Sequence, residues 1–161
     1  MSQDITYLRE AYKEALQSKD PSTQNGVILV KENQIIGRGY NKFPTGVADT
    51  DERWNNKALK YKTVVHAETA SILDAAKRGN STAGATMYGC WVACVDCARD
   101  IIEAGITEVV GHHHPAMDDR PDWNVGIQEA FSLLREAGVK VRTVDGTIGT
   151  ALRFAGKESL V

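Results

Sequence analysis

The chain has 161 residues, of which 42% are hydrophobic and 25% charged, with a net charge of −2. Such values describe one globular domain over residues 1–161 with a core of ordinary size. They exclude an overall basic surface for nucleic acid and an apolar run long enough to span a membrane, so neither is an expected partner. Three cysteines, two of them in C-x-x-C, argue against a disulfide framework and for a reducing compartment. With no basic-then-apolar leader at the N-terminus, the expected setting is the cytoplasm.

Along the chain, Ile5, Leu8, Ala11, Tyr12, Ala15 and Leu16 recur at helical spacing and predict a first amphipathic helix over 4–18. Asp20 to Asn25 reads as a polar loop. Residues 26–30 and 35–40 predict two strands joined by a turn at 31–34, a hairpin. Residues 41–65 hold Pro, Gly, Asp and Asn without a period and are expected to be a long functional loop. Ala67, Ala70, Ile72, Leu73 and Ala76 predict a second helix, and 85–90 a third strand. Cys94 and Cys97 open a third helix that runs through Ile101 and Ile102 and stops at Gly105. A fourth strand is expected at 107–111, a fourth helix at 122–137 and a fifth strand at 139–144. The remainder, 144–161, has no clear period and is left as a tail suited to contacts between copies of the chain. The alternation predicts an α/β fold with a five-stranded mixed sheet, helices on both faces and later strands made parallel by helical crossovers.

The chemistry concentrates in His66-Ala67-Glu68 and Cys94-Val95-Asp96-Cys97. One histidine alone is usually a packed residue, and C-x-x-C can be a redox pair. Together they supply one imidazole and two thiolates, good ligands for Zn²⁺ and one short of a tetrahedron. A structural site closes with four ligands, whereas a catalytic one leaves the fourth position to water. Glu68, two residues from the histidine, could reach that water without ligating the metal. The spacing agrees with the H-x-E…C-x-x-C signature of zinc nucleobase deaminases. Both motifs open helices, whose N-terminal N–H groups favour bound thiolates.

Two further segments, Gly39-Tyr40-Asn41-Lys42-Phe43-Pro44-Thr45-Gly46 and Cys97 to Ile106, extend the pattern. With them the chain resembles the cytidine and deoxycytidylate deaminase superfamily, most closely deoxycytidylate (dCMP) deaminases of bacterial and phage type. The resemblance runs from the first helix to Val144 and implies the three-layer cytidine-deaminase-like fold. It implies one Zn²⁺ per subunit on His66, Cys94 and Cys97, and hydrolysis of dCMP to dUMP and ammonia, supplying dUMP for thymidylate synthesis. Glu68 would take a proton from water and deliver protons to N3 and to the leaving amine. The base would be read by backbone groups around Ala67 and the strand end before Cys94, and Asn41 would contact the sugar. The family is commonly hexameric, activated by dCTP and inhibited by dTTP, with the loop from Gly39 to Gly46 helping to hold the effector. Ala93 stands where the family usually has proline, and Ala70 where many members have asparagine.

Other roles rest on single residues. Trp91 can form a pocket wall or a core aromatic. Lys19 and Arg120 are candidate cations for a nucleotide phosphate, Arg120 for an effector as well. His112, first of His112-His113-His114, follows a strand end, where α/β folds place ligands, and could line the substrate pocket. Gly37 and Gly39 would let backbone approach effector phosphates closely. Competing readings are deamination of another base or nucleotide, such as dCTP, cytidine, guanine or a tRNA adenosine, or a catalytically silent zinc-binding assembly module. A nucleic-acid editor should show a basic stripe; Asp49-Thr50-Asp51-Glu52 and the net charge disfavour one.

Overall fold

The computed structural model describes residues 2–113 and 121–161. Helix α1 (Gln3–Ala15) starts at Ser2, whose side chain accepts a hydrogen bond from the Ile5 amide. Its stripe of Leu8, Ala11, Tyr12 and Ala15 is buried. Strands β1 (Gly26–Lys31) and β2 (Gln34–Tyr40) form the expected hairpin. Its turn residues Glu32 and Asn33 have φ of 50° and 61°, the left-handed geometry that suits the strand twist.

β1 and β2 join β3 (Thr86–Gly89), β4 (Glu108–His112) and β5 (Lys140–Val144) in one sheet of order β2-β1-β3-β4-β5. β1 pairs antiparallel with β2 and β3, while β3–β4 and β4–β5 are parallel. The parallel pairs follow from their crossovers, α5 (Val95–Glu103) and α6 (Pro121–Glu136). Side chains of β1 alternate between two cores. Ile28 and Val30 face the layer with α1, whereas Val27 and Leu29 face α4 (Ala67–Lys77), α5 and α6. Burial on both sides explains why β1 is a continuous apolar run. The result is the five-stranded mixed sheet with helices on both faces that the sequence predicts. Arg142 on β5 ties strand to helix through two 2.8 Å bonds to the Asp4 carboxylate, and donates to Glu108 at 2.7 Å.

Two expectations change. The 41–65 segment carries two short helices, α2 (Asp51–Asn55) and α3 (Lys57–Thr63). Thr50 and Asn56 cap them by accepting from the Arg53 and Leu59 amides. With 5 and 7 residues, neither is long enough to display an apolar period. The tail, in turn, holds a hairpin, β6 (Ala151–Phe154) and β7 (Lys157–Leu160). Ile148, Leu152, Phe154 and Val161 are buried in the α1-side core, so the tail completes a layer of this chain.

Gly37 and Gly39 also have a packing role. A Cβ on Gly39 would lie 2.4 Å from both the Ala67 carbonyl oxygen and the Ser71 nitrogen; one on Gly37 would lie 2.4 Å from the Ser71 carbonyl oxygen. The missing side chains let α4 pack directly on β2, so the space a Cβ would take is filled by helix backbone. Gly46 has φ of 88° in the turn closed by the Val47 amide and the Pro44 carbonyl.

Candidate functional site

Two helix starts build the site. His66 occupies the N-cap position of α4 and Cys94 that of α5; the His66 side chain makes no bond to its own helix, and the Cys94 sulfur lies against Cys97 in the first turn of α5. Cys97 lies one turn into α5, on the same side as Cys94. His66 Nδ1 is 3.5 Å from Cys94 Sγ and 3.3 Å from Cys97 Sγ. All three ligand atoms fall within 4.8 Å of one another, the one such group of three among the described residues. One imidazole and two sulfurs converging this closely fit Zn²⁺, with a fourth position left to a non-protein ligand.

Electrostatics agree with that use. The Cys94 thiol is lowered to about 4, chiefly by its hydrogen bond with Cys97, helped by His66 and by the Cys97 backbone amide. Cys97 is pushed up by the bond to Cys94 and by burial. The Cys94 hydrogen bond raises His66 to about 9, against burial.

Glu68 sits in the first turn of α4 and is 4% exposed. Burial pushes its carboxyl up, opposed by the His66 charge. Its Oε2 accepts from the Cys97 thiol at 3.6 Å, and its Oε1 accepts from Asn25 Nδ2 at 3.4 Å. A cavity of about 230 Å³ opens over this group, and His66, Glu68 and Cys94 line it. Asn41 lines the same cavity. Its Oδ1 accepts from the Ala67 amide at 3.0 Å and its Nδ2 donates to the Thr23 carbonyl at 3.3 Å, joining the start of α4 to the loop before β1. Trp91 forms wall and core together. It lines the cavity, is 3% exposed, stacks on Phe154 at 4.5 Å and donates its indole N–H to the Gln24 carbonyl.

Other sequence candidates lie elsewhere. His112 is 2% exposed and does not line the cavity. Its Nδ1 accepts from the Tyr12 hydroxyl at 2.7 Å and its Nε2–H donates to the Gly146 carbonyl at 2.7 Å, so the ring is a core connector. Lys19 is exposed and 3.7 Å from Asp49, away from the cavity. Arg120 and His114 fall outside the described residues. The cation in the cavity wall is Lys60 of α3, buried with its Nζ 2.6 Å from Asp20 Oδ1. Asp20 Oδ1 also accepts from the Ser22 and Thr23 amides, which shapes the 20–25 loop against the site. Sequence reasoning missed Asn25, Lys60 and Phe154. Only the polarity of 20–25 hinted at the first, and nothing local pointed to the other two.

A second cavity, of about 540 Å³, lies beside β2 and the outer side of α4. Gly39, Tyr40, Lys42 and Thr45 line it, together with Arg38, Lys77 and Arg78.

A family model described as the cytidine and deoxycytidylate deaminase zinc-binding region matches residues 1–113. A deoxycytidylate deaminase of Mus musculus is 39% identical over 142 residues, covering 84% of this chain and 76% of the mouse protein. One from Pongo abelii is 38% identical over 110 residues, but the match spans only 61% of that protein and 65% of this chain. Among solved structures, the dCMP deaminase of cyanophage S-TIM5 in complex with dCMP and dUMP superposes with a TM-score of 0.70, covering 89% of this chain and 99% of that one. At 23% identity, this likeness speaks to the fold alone. No described helix is long and apolar enough to cross a membrane.

Proposed function

The chain belongs to the cytidine and deoxycytidylate deaminase family, and on that premise we propose that it hydrolyses dCMP to dUMP and ammonia with one Zn²⁺ per subunit. The observation that carries this reading is a buried carboxylate, Glu68, that is not part of the ligand trio yet touches it and lines the same cavity. A purely structural site has no use for such a group.

His66, Cys94 and Cys97 would hold the metal, which when bound supplies a Lewis acid that makes water a nucleophile near neutral pH. Glu68 accepts the proton that water loses as its oxygen bonds C4 of the pyrimidine. The same carboxyl passes that proton to N3, then takes the proton of the new C4 hydroxyl and hands it to the exocyclic nitrogen, so that the C4–N bond breaks, C4=O forms and ammonia leaves. A carboxyl whose proton affinity is raised by burial suits a group that both takes and gives a proton. Trp91 and Phe154 form the aromatic wall for the base, and Asn41 holds the start of α4 in place and presents its amide toward the sugar. Lys60, with Ser22 and Thr23 of the same cavity wall, meets the 5′-phosphate.

Regulation by dCTP as activator and dTTP as inhibitor belongs to the same proposal. The second cavity supports it, because Tyr40 and Lys42, which line it, flank Asn41 of the first, and because Lys42 and Lys77 stand there beside the ion pairs Arg38–Glu14 and Arg78–Asp74. A homo-hexamer in the cytoplasm completes the reading, and its mass in solution is measurable by light scattering.

An ultraviolet assay of the zinc-loaded protein with cytidine, deoxycytidine, dCMP and dCTP, each with and without added dCTP or dTTP, tests this. Preference for dCMP with opposite responses to the two triphosphates is expected. Preference for a nucleoside would remove the phosphate contact, and no pyrimidine turnover would overturn the function.

A further inference from the structure

We propose that Asn25 is a positioning residue for the Glu68 carboxylate. Asn25 ends the polar loop immediately before β1, is 7% exposed and lines the cavity. Its Nδ2 donates to Glu68 Oε1 at 3.4 Å. The amide orientation follows from chemistry, because turning it over would set two oxygen atoms against each other. Its own Oδ1 has no hydrogen-bond partner and is the one buried side-chain nitrogen or oxygen among the described residues in that position.

Those observations set a donor in use against an acceptor left unmade. A buried polar atom without a partner destabilises a fold, and an apolar residue of the same shape avoids that cost. Asn25 immediately precedes β1, whose Val27, Ile28 and Leu29 are fully buried, and its side chain lines the cavity beside Glu68. What the asparagine contributes instead is one N–H aimed at the carboxylate. That bond selects a single orientation of Glu68, with Oε1 held by Asn25 and Oε2 turned to the Cys97 sulfur. The group that must shuttle protons between water and substrate is then preorganised from the side opposite the metal ligands. This assignment rests on Glu68 as the proton carrier but not on which nucleotide is the substrate.

Asn25→Leu removes donor and acceptor together, and Asn25→Asp keeps the shape and the acceptor while removing the donor. Both are assayed with zinc loaded, on whichever substrate the parent turns over, alongside zinc content and melting temperature. The expected result is a kcat about 10- to 100-fold lower in both, the worth of a hydrogen bond to a charged group. KM stays within about twofold and zinc content equals the parent's in each variant. Asn25→Leu, which removes the unpaired Oδ1 but also the donor to Glu68 Oε1, melts near the parent temperature, and Asn25→Asp, which sets two carboxyls together, melts below it. An unchanged kcat in Asn25→Leu overturns the proposal, as does a kcat loss that tracks lost zinc or lower melting in that variant. A loss confined to KM would make Asn25 a substrate contact and overturn it too. An intact kcat in Asn25→Asp shows that the donor is not what matters. A parent inactive on dCMP but active on another base refutes the proposed substrate and leaves the Asn25 comparison readable.

Discussion

Two mostly buried histidines show how one side chain is given opposite duties. His66 faces two sulfurs and a carboxylate, and its neighbours raise its proton affinity, to about 9 in the metal-free chain. His112 faces a hydroxyl and a carbonyl, and burial holds it below its ordinary value as a neutral ring. Both sit next to the end of a regular element: His66 at the start of α4, His112 at the end of β4. Position in the fold therefore does not separate ligand from connector. The partner atoms do. Thiolates and a carboxylate form a place for a cation, whereas one hydroxyl and one carbonyl satisfy both ring nitrogens of a neutral imidazole and leave nothing over.

Exchanging the two roles by mutation should expose the difference most strongly. His66→Ala is expected to lose zinc and to lower turnover by more than about 10³-fold, whereas His112→Asn should keep full zinc and near-parental turnover. Zinc analysis beside the rate measures both, and a zinc-free but active His66→Ala would break the comparison. Next in size is Glu68→Gln, which keeps the shape of the group that separates the two environments. It should retain zinc and lose on the order of 10³-fold in kcat, the weight of a general acid–base group. Near-normal turnover in that variant, with zinc bound, removes Glu68 from the chemistry.

On the core side, Tyr12→Phe takes the hydroxyl from His112 Nδ1 and leaves a buried acceptor unpaired. A stability loss of about 1–3 kcal/mol is expected with kcat unchanged, read by denaturant unfolding and a standard assay. A fall in kcat without a fall in stability would bring His112 back to the site.

The smallest effect is a pH slope. His112 in the unfolded chain binds a proton below about pH 6.5, while the folded chain resists it. The unfolded state then holds more protons, so stability present above about pH 6.5 is lost as pH falls toward the folded value. Metal-free parent and His112→Asn, melted between about pH 7.5 and about pH 5.5, should differ in slope, with the parent steeper. Equal slopes would show that His112 titrates alike in both states.

Much of the site was legible because its parts are near in sequence. His66 and Glu68 are two residues apart and Cys94 and Cys97 three, each pair at a helix start, and helix geometry alone turns each pair toward one side. Asn41 and Trp91 were also singled out, and the fold brings both to the same cavity. The strand alternation and the α1 stripe likewise carried sheet, layers and crossovers. Asn25, Lys60 and Phe154 come from the loop before β1, the short α3 and the terminal hairpin, and no local pattern marks them as neighbours.

By itself, then, the sequence determined the α/β order, the donor set and the carboxylate beside it, since those depend on residue type and on contacts within a turn or two. Only the tertiary structure decided that the tail closes a core layer and that Lys60 rather than Lys19 stands in the cavity. It alone showed that Gly37 and Gly39 make room for a helix and that His112 is spent on Tyr12 and Gly146. Each of these depends on which distant segment supplies the facing atom. Chain topology sets that, and short-range periodicity does not encode it.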